Sequence, residues 1–171
     1  SILEAARQIG GKSVPPAMCY YSKLEYSGGR CRTCLVEVSK GSEADPRPMP
    51  KLVASCRTNV MDGMEVKNLT SDKAQEGRKA VTEFLLLNHP LDCPVCDQAG
   101  ECHLQDLGYE HGVETTRTDF ERNTYDADDI GPHIKLNMNR CILCARCVLA
   151  ANQLTGKREH GILFRGDHAE I

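Results

Sequence analysis

The sequence predicts an α+β chain whose short helices and strands are held together around cysteine side chains rather than around a large apolar core. Its 171 residues include no tryptophan, three phenylalanines and five tyrosines, but ten cysteines. Apolar residues follow helix-like spacing in some segments and strand-like alternation in others, and each pattern is short. A small chain with so few large apolar side chains usually needs disulfides or bound metal for its stability.

The first half of the chain is predicted to hold one helix, a long loop and three strands. Ser1 and Glu4 have the spacing of a capping box, which predicts a helix over residues 1–11 that ends in two stop glycines. Proline and glycine pairs predict an irregular loop over residues 14–34. The strands are predicted over residues 35–38, 51–55 and 64–69.

The second half is predicted to hold three helices and two short strands. The longest helix is expected over residues 71–88, because Ser71 can serve as its N-cap and Pro90 stops it. Its apolar positions are Ala74, Ala80, Val81, Phe84, Leu85 and Leu87. A loop and a short helix are expected over residues 89–112, whereas residues 113–133 are polar with little periodicity. The remaining predicted elements are a strand at 134–138, a helix at 142–154 ended by Gly156, and a strand near 162–164.

Charge and hydropathy exclude several classes of protein. With 21 basic and 24 acidic residues, the chain lacks the basic surface that binds nucleic acid. Its longest apolar runs, residues 141–145 and 147–151, are far shorter than the ~20 residues that cross a bilayer. No export signal opens the sequence, so we expect reduced or metal-bound thiols. An all-disulfide pattern is also disfavoured, because cysteines separated by two residues in tight loops bridge each other poorly.

The first candidate metal site is the set Cys19-x11-Cys31-x2-Cys34-x21-Cys56. Four thiolates with one close pair suit either tetrahedral zinc or a [2Fe-2S] cluster, and the spacing alone does not choose between them. Gly28 and Gly29 precede Cys31, where a loop that wraps a cluster must point backbone N–H groups at sulfur. The alternative is that these glycines only form a turn beside a zinc ion.

The second candidate site is the set His89-x3-Cys93-x2-Cys96-x5-Cys102. Two prolines and a glycine keep this segment from forming a regular helix, so its four donors can converge on one centre. His89 could instead cap the preceding helix by binding its last carbonyl groups. A Cys3His zinc site is the local competitor.

The third candidate site is the set Cys141-x2-Cys144-x2-Cys147. Three cysteines at successive two-residue spacings resemble the run that holds a [4Fe-4S] cluster in bacterial ferredoxins. Ala151 stands where that run would place its fourth cysteine. We therefore expect the fourth ligand to lie outside these 171 residues, with His133 and His160 as the internal alternatives.

Taken in order, the three sets resemble the cluster-bearing N-terminal region of the large peripheral subunit of bacterial respiratory complex I, the NADH:quinone oxidoreductase. The resemblance spans nearly the whole chain. It rests on the stretches NHPLDCPVCDQAGECHLQD at residues 88–106, MNRCILCARCV at 138–148 and VMDGMEV at 60–66.

The resemblance implies three clusters and three structural segments. The implied ligands are Cys19, Cys31, Cys34 and Cys56 for one [2Fe-2S] cluster, His89, Cys93, Cys96 and Cys102 for a [4Fe-4S] cluster, and Cys141, Cys144 and Cys147 for a second [4Fe-4S] cluster whose fourth cysteine lies downstream. The segments are a partial β-grasp, plant-ferredoxin-like domain at residues 1–70, a helical cluster-binding segment at 71–112 and a ferredoxin-like segment at 113–171. A β-grasp begins with a hairpin before its helix, so its first two strands are expected to be missing here.

The implied function is one-electron transfer without a catalytic residue in this chain. Electrons would come from a flavin-bearing, NADH-oxidising subunit and pass to a quinone-side iron-sulfur subunit, on the cytoplasmic face of the membrane or on the matrix side in mitochondria. One alternative is the related subunit of a soluble NAD-linked hydrogenase or formate dehydrogenase. Ala151 argues against it, because those relatives commonly carry further cysteines there. The other alternative is a structural zinc protein that serves as an interaction scaffold.

Overall fold

The computed structural model describes residues 1–112, 114–119 and 121–171, and it shows the small α+β chain that the sequence predicts. Within these residues, no helix is both long enough and apolar enough to cross a membrane. The elements are α1 Ile2–Ile9, β1 Leu35–Lys40, β2 Val53–Ala54, β3 Glu65–Lys67, α2 Asp72–Leu86, α3 His103–His111, β4 Asp128–Asp129, β5 Lys135–Leu136 and α4 Arg146–Thr155.

The first helix begins and ends as the sequence predicts. The Ser1 hydroxyl accepts a hydrogen bond from the Glu4 backbone N–H, and the Glu4 carboxylate accepts one from the N-terminal ammonium group, which completes the capping box. The helix ends at Gly10, whose φ of 82° suits glycine. Ile2 packs with Val36 and Val38 of β1 in one apolar cluster, so α1 lies against the sheet.

The three predicted strands form one antiparallel sheet with the order β2-β1-β3. The central strand β1 extends two residues beyond the prediction, whereas β2 and β3 are shorter than predicted. The ladder between β1 and β3 is irregular between Val38 and Lys40. Because β1 follows Cys34 directly and β2 is followed by Cys56, the sheet fixes the positions of two cysteines of the first set.

The longest helix, α2, is confirmed, and its buried face includes the predicted Ala74 and Leu85 but not Phe84. Ser71 caps it by accepting a hydrogen bond from the Ala74 N–H. Phe84, which the periodicity places on the apolar face, is 72% exposed. The polar residues Arg78 and Thr82 are fully buried instead. α2 packs against β1 and α3, so its buried face meets backbone carbonyl groups as well as apolar side chains.

The last third of the chain has less regular structure than predicted. The expected strand over 134–138 is reduced to β5, which pairs only with β4. The expected strand near 162–164 is a single bridge between Leu163 and Glu170. The expected helix over 142–154 begins four residues later, because Leu143 and Ala145 have positive φ angles of 52° and 58°. It ends at Gly156, as predicted.

Candidate metal centres

The four thiols of the first set are buried and arranged as two pairs. The Sγ atoms of Cys34 and Cys56 lie 3.4 Å apart. Cys19 and Cys31 form the other pair: their thiols are hydrogen-bonded, and each backbone N–H also donates to the other residue's Sγ, at 3.3 and 3.4 Å. The loop between α1 and β1 therefore supplies one pair, and the sheet supplies the other.

Backbone donors surround these sulfur atoms, as the glycine pattern predicts. The N–H of Gly29 donates to Cys56 Sγ at 3.2 Å, and the N–H of Arg30 donates to Cys19 Sγ at 3.4 Å. Gly28 has a φ of 97°, and a Cβ atom placed on it would lie 3.1 Å from Cys56 Sγ. The backbone can therefore approach the sulfur only because this residue has no side chain.

In each pair, the pKa of one thiol is lowered, which favours its thiolate form. The hydrogen bond from Cys19 lowers the pKa of Cys31 to about 5, and the bond from Cys56 lowers the pKa of Cys34 to about 6, although burial opposes both shifts. The pKa values of Cys19 and Cys56 are raised, chiefly because these thiols donate to their partners. Each pair can thus share one proton, and thiolate is the form that binds metal.

The second set surrounds one small cavity of about 50 Å³. The residues that line it include all four predicted donors, His89, Cys93, Cys96 and Cys102, together with Asp92 and Arg140. Within the part of the chain that the structure describes, the buried Nδ1 atom of His89 has no hydrogen-bond partner. Burial lowers the pKa of His89, with a smaller contribution from Arg140, so the neutral, metal-binding form of its ring is favoured. A helix-capping histidine would bind carbonyl groups instead.

Arg140 is a charged residue at this cavity that sequence reasoning did not select. Its Nη2 atom lies 3.2 Å from the Asp92 carboxylate, and its Nε atom is buried without a partner. Arg140 directly precedes Cys141, so one side chain connects the second set with the third. In the sequence, only its position next to Cys141 indicates that Arg140 lies near a candidate site.

The three cysteines of the third set follow one another along a tightly wound loop and the start of α4. The Leu143 N–H donates to Cys141 Sγ at 3.3 Å. Burial raises the pKa of Cys141, and the charges of Cys144 and Cys147 raise it further. The positive φ angles of Leu143 and Ala145 curl the backbone between these cysteines. His133 and His160, the internal alternatives for a fourth ligand, are both exposed.

One apolar cluster joins residues of all three sets. Its buried members are Met18, Cys19, Cys31, Leu104 and Leu107, and Cys102, Ile142 and Cys144 pack against it. The third segment is further fixed to the first by a hydrogen bond of 3.2 Å from Arg146 to the Met18 carbonyl. The thiols of the three sets are therefore parts of one packed body.

The donor chemistry of the first two sets suits iron-sulfur clusters. Two thiol pairs with backbone donors suit a centre with two irons, and the unpartnered His89 nitrogen among three cysteines suits a larger cluster.

Protein families match all three parts of the chain. Residues 1–71 match the 2Fe-2S iron-sulfur cluster binding domain, and residues 78–117 match the NADH-ubiquinone oxidoreductase-G iron-sulfur binding region. Residues 131–171 match the ferredoxin-like domain of NADH-quinone oxidoreductase subunit 3. An NADH-quinone oxidoreductase subunit of the same G type, from Rickettsia felis, is 41% identical over 171 residues, which is 100% of this chain and 24% of the relative. The chain belongs to the N-terminal iron-sulfur region of the NADH-quinone oxidoreductase-G family.

The oxidoreductase-G family extends to mitochondrial proteins. An iron-sulfur protein 1 of NADH dehydrogenase from Solanum tuberosum is 44% identical over 100% of this chain and 22% of its own length. The 75 kDa subunit of NADH-ubiquinone oxidoreductase from Reclinomonas americana is 43% identical over 100% of this chain and 23% of its own length. The chain thus spans about a quarter of the length of these relatives.

One solved structure is similar to the chain in both fold and sequence. It is the crystal structure of an NAD+-reducing [NiFe]-hydrogenase in the H2-reduced state. The match has a TM-score of 0.80 and 31% sequence identity, and it covers 99% of this chain and 66% of the hydrogenase chain. Both the oxidoreductase-G family and the hydrogenase neighbour are named for NAD-linked oxidoreductases.

Proposed function

We propose that the chain relays single electrons between iron-sulfur clusters within an NADH:quinone oxidoreductase. The apolar cluster that packs Cys19 and Cys31 together with Cys102 and Cys144 carries this proposal, because it brings cysteines of all three sets into contact with one core. The names of the relatives, which are subunits of NADH-quinone and NADH-ubiquinone oxidoreductases, support the assignment.

The proposed cofactors are one [2Fe-2S] cluster and two [4Fe-4S] clusters. Their proposed ligands are the three sets defined above, held by segments 1–70, 71–112 and 113–171, and the ranges of the three matching families support this division. We also propose that α1 and the three-stranded sheet are part of a β-grasp arrangement, to which the antiparallel order β2-β1-β3 is suited.

The residues of this chain bind the proposed clusters, exclude water from them and adjust the charge of each site. They do not make or break covalent bonds of a substrate. When bound, an iron-sulfur cluster supplies reversible one-electron chemistry. The buried thiols of the first set keep water away, and the N–H groups of Gly29 and Arg30 point positive dipoles at their sulfur atoms. The neutral ring of His89 makes the second site less negative than four thiolates would.

Metal content separates this proposal from the zinc alternative. We expect the chain of residues 1–171, isolated without oxygen, to be brown and to contain about six to nine irons per chain with matching acid-labile sulfide. Its reduced form should give electron paramagnetic resonance signals of both [2Fe-2S] and [4Fe-4S] type. A colourless protein with stoichiometric zinc and no iron would instead support an interaction scaffold.

We propose that the partners are a flavin-bearing subunit that delivers electrons and an iron-sulfur subunit on the quinone side. The proposed location is the cytoplasmic face of the membrane, or the matrix side in mitochondria. The hydrogenase neighbour supports a second candidate, an electron-transfer subunit of a soluble NAD-linked hydrogenase. If the protein co-purifies with quinone-reducing activity, the first candidate is supported. If it co-purifies with hydrogen-oxidising activity, the hydrogenase candidate is supported.

The third site is proposed to take its fourth ligand from outside these 171 residues. The ten cysteines divide as four, three and three among the sets, and Ala151 occupies the fourth ferredoxin position. We expect residues 1–171 alone to hold at most a labile or three-iron cluster at Cys141, Cys144 and Cys147, because an incomplete ligand set binds weakly. Mössbauer spectra of this chain and of a longer one test this. A stable four-iron centre in the shorter chain would contradict the proposal of an external ligand. His133 and His160 would then be the residues to mutate.

A further inference from the structure

Arg78 is a buried cation in the wall of the first candidate site. It is the largest fully buried side chain, with 0% exposure. Its Nε atom donates to the Thr33 carbonyl at 3.2 Å, and its Nη2 atom donates to the Leu35 carbonyl at 3.1 Å. These two carbonyl groups flank Cys34, so the guanidinium group of α2 is fixed directly beside the backbone of a predicted ligand.

The protein itself provides this cation with neutral partners. The third acceptor of Arg78 is the amide oxygen of Asn68, 2.6 Å from Nη2, and the Nη1 atom is buried without a partner. Among the described residues, no carboxylate lies within ion-pair distance of Arg78. Glu110 attracts it at longer range, but that carboxylate is exposed and lies 3.8 Å from a nitrogen of His111.

A fully buried charge without a counter-charge is strongly disfavoured, so such residues in proteins are paired with a charge or a metal centre. The two carbonyl groups that accept hydrogen bonds from Arg78 flank Cys34, so the natural counter-charge is the set of four thiols beside it. Arginine suits this position because its planar fork can hold two carbonyl groups while it keeps its charge.

We infer that Arg78 is the counter-cation of the cluster held by Cys19, Cys31, Cys34 and Cys56, and that it raises the reduction potential of this cluster. The inference rests on the proposed function, since it requires an iron-sulfur cluster at these thiols. Four thiolates outweigh the positive charge of a [2Fe-2S] core, and an added electron makes the site more negative still. A fixed cation in a low-dielectric setting therefore stabilises the reduced form more than the oxidised form. Arg78 is thus a positioning residue: its charge acts on the reduction potential of the cluster, and its side chain is not a cluster ligand.

The sharpest test leaves Arg78 in place and changes its neighbour. Asn68→Asp puts a carboxylate where the amide oxygen now accepts from Nη2, and so gives the cation a counter-charge within the protein. We expect the reduced-to-oxidised ratio of the [2Fe-2S] cluster at a fixed potential to fall about tenfold, a midpoint shift of about −59 mV for one electron. Asn68→Ala removes the hydrogen bond from Arg78 and, like Asn68→Asp, those to the Lys12 and Ser13 carbonyl groups, but it adds no charge and should move the midpoint far less.

Two substitutions of Arg78 provide a second, independent measurement. Arg78→Gln removes the charge and should lower the midpoint in the same direction, whereas Arg78→Lys should restore most of the original value. The midpoints are measured by potentiometric titration of the cluster-loaded protein, with the [2Fe-2S] signal followed by electron paramagnetic resonance. The [4Fe-4S] signals of the same samples serve as internal standards and should not move.

The outcomes distinguish this inference from the proposed function. Equal midpoints for Asn68→Asp and Asn68→Ala would overturn the role of Arg78 while leaving the electron relay intact. Equal shifts for Arg78→Gln and Arg78→Lys would overturn it as well, because they would show a packing effect without a charge effect. The absence of a [2Fe-2S] signal from the unchanged protein would overturn the proposed function itself, and this inference with it.

Discussion

Replacement of His89 by alanine is expected to abolish the intact [4Fe-4S] centre of the second site. The ring nitrogen of His89 is buried without a hydrogen-bond partner in the wall of a cavity that three cysteines also line. Removal of this ligand leaves only the three cysteines as donors, so up to about four irons should be lost from the protein. Iron analysis and electron paramagnetic resonance of the reduced protein measure this loss.

The cysteine variant tests the chemistry of the ligand rather than its presence. His89→Cys should retain a cluster with four thiolates, and its reduction potential should fall by something on the order of 100 mV, because histidine ligands raise cluster potentials. The charge of nearby Asp92 is offset by Arg140 at 3.2 Å, so this carboxylate should not mask the shift. His103→Ala is the matched control, since this exposed histidine follows Cys102 directly. An unchanged spectrum and potential in His89→Ala would instead assign His89 to the end of α2 as a helix cap.

The candidate sites follow from local signals, because the spacing of cysteines is itself local. The capping box of α1, the N-cap of α2 and the end of α4 at Gly156 were also predicted from a few neighbouring residues, and the structure confirms them. The grouping of each donor set could likewise be expected, because its members are close in sequence or are brought together by a short sheet. We propose that these donors bind clusters, and the matching families support this.

Long-range contacts explain what the sequence did not predict. Helical periodicity placed Phe84 on the buried face of α2, yet Arg78 occupies that face because carbonyl groups of a loop and strand more than forty residues away accept its hydrogen bonds. The late start of α4 has a similar cause. Leu143 and Ala145 adopt positive φ angles in the loop that carries the third cysteine set, and non-glycine residues give no local sign of that conformation.

Replacement of Gly28 by alanine is expected to remove the [2Fe-2S] centre or make it labile. The residue has a φ of 97°, and a new Cβ atom would lie 3.1 Å from Cys56 Sγ and 3.2 Å from a ring carbon of Tyr20. The backbone conformation alone should cost about 1–3 kcal/mol. The close contact should also push the Sγ atom of Cys56, a proposed ligand, by a few tenths of an ångström, because the new Cβ atom lies between it and the Tyr20 ring.

Gly29→Ala separates these two effects, because it shares the backbone cost without the collision at sulfur. Gly29 also has a positive φ, 79°, but its new Cβ atom would meet the flexible side chain of Arg57 at 3.2 Å. Its N–H would still be able to donate to Cys56 Sγ. We therefore expect both variants to lose similar thermal stability as apoproteins, and only Gly28→Ala to lose most of its [2Fe-2S] signal per chain. Equal signals in the two variants would show that the close approach at Gly28 is not required, and that the glycine pair serves only to form the turn.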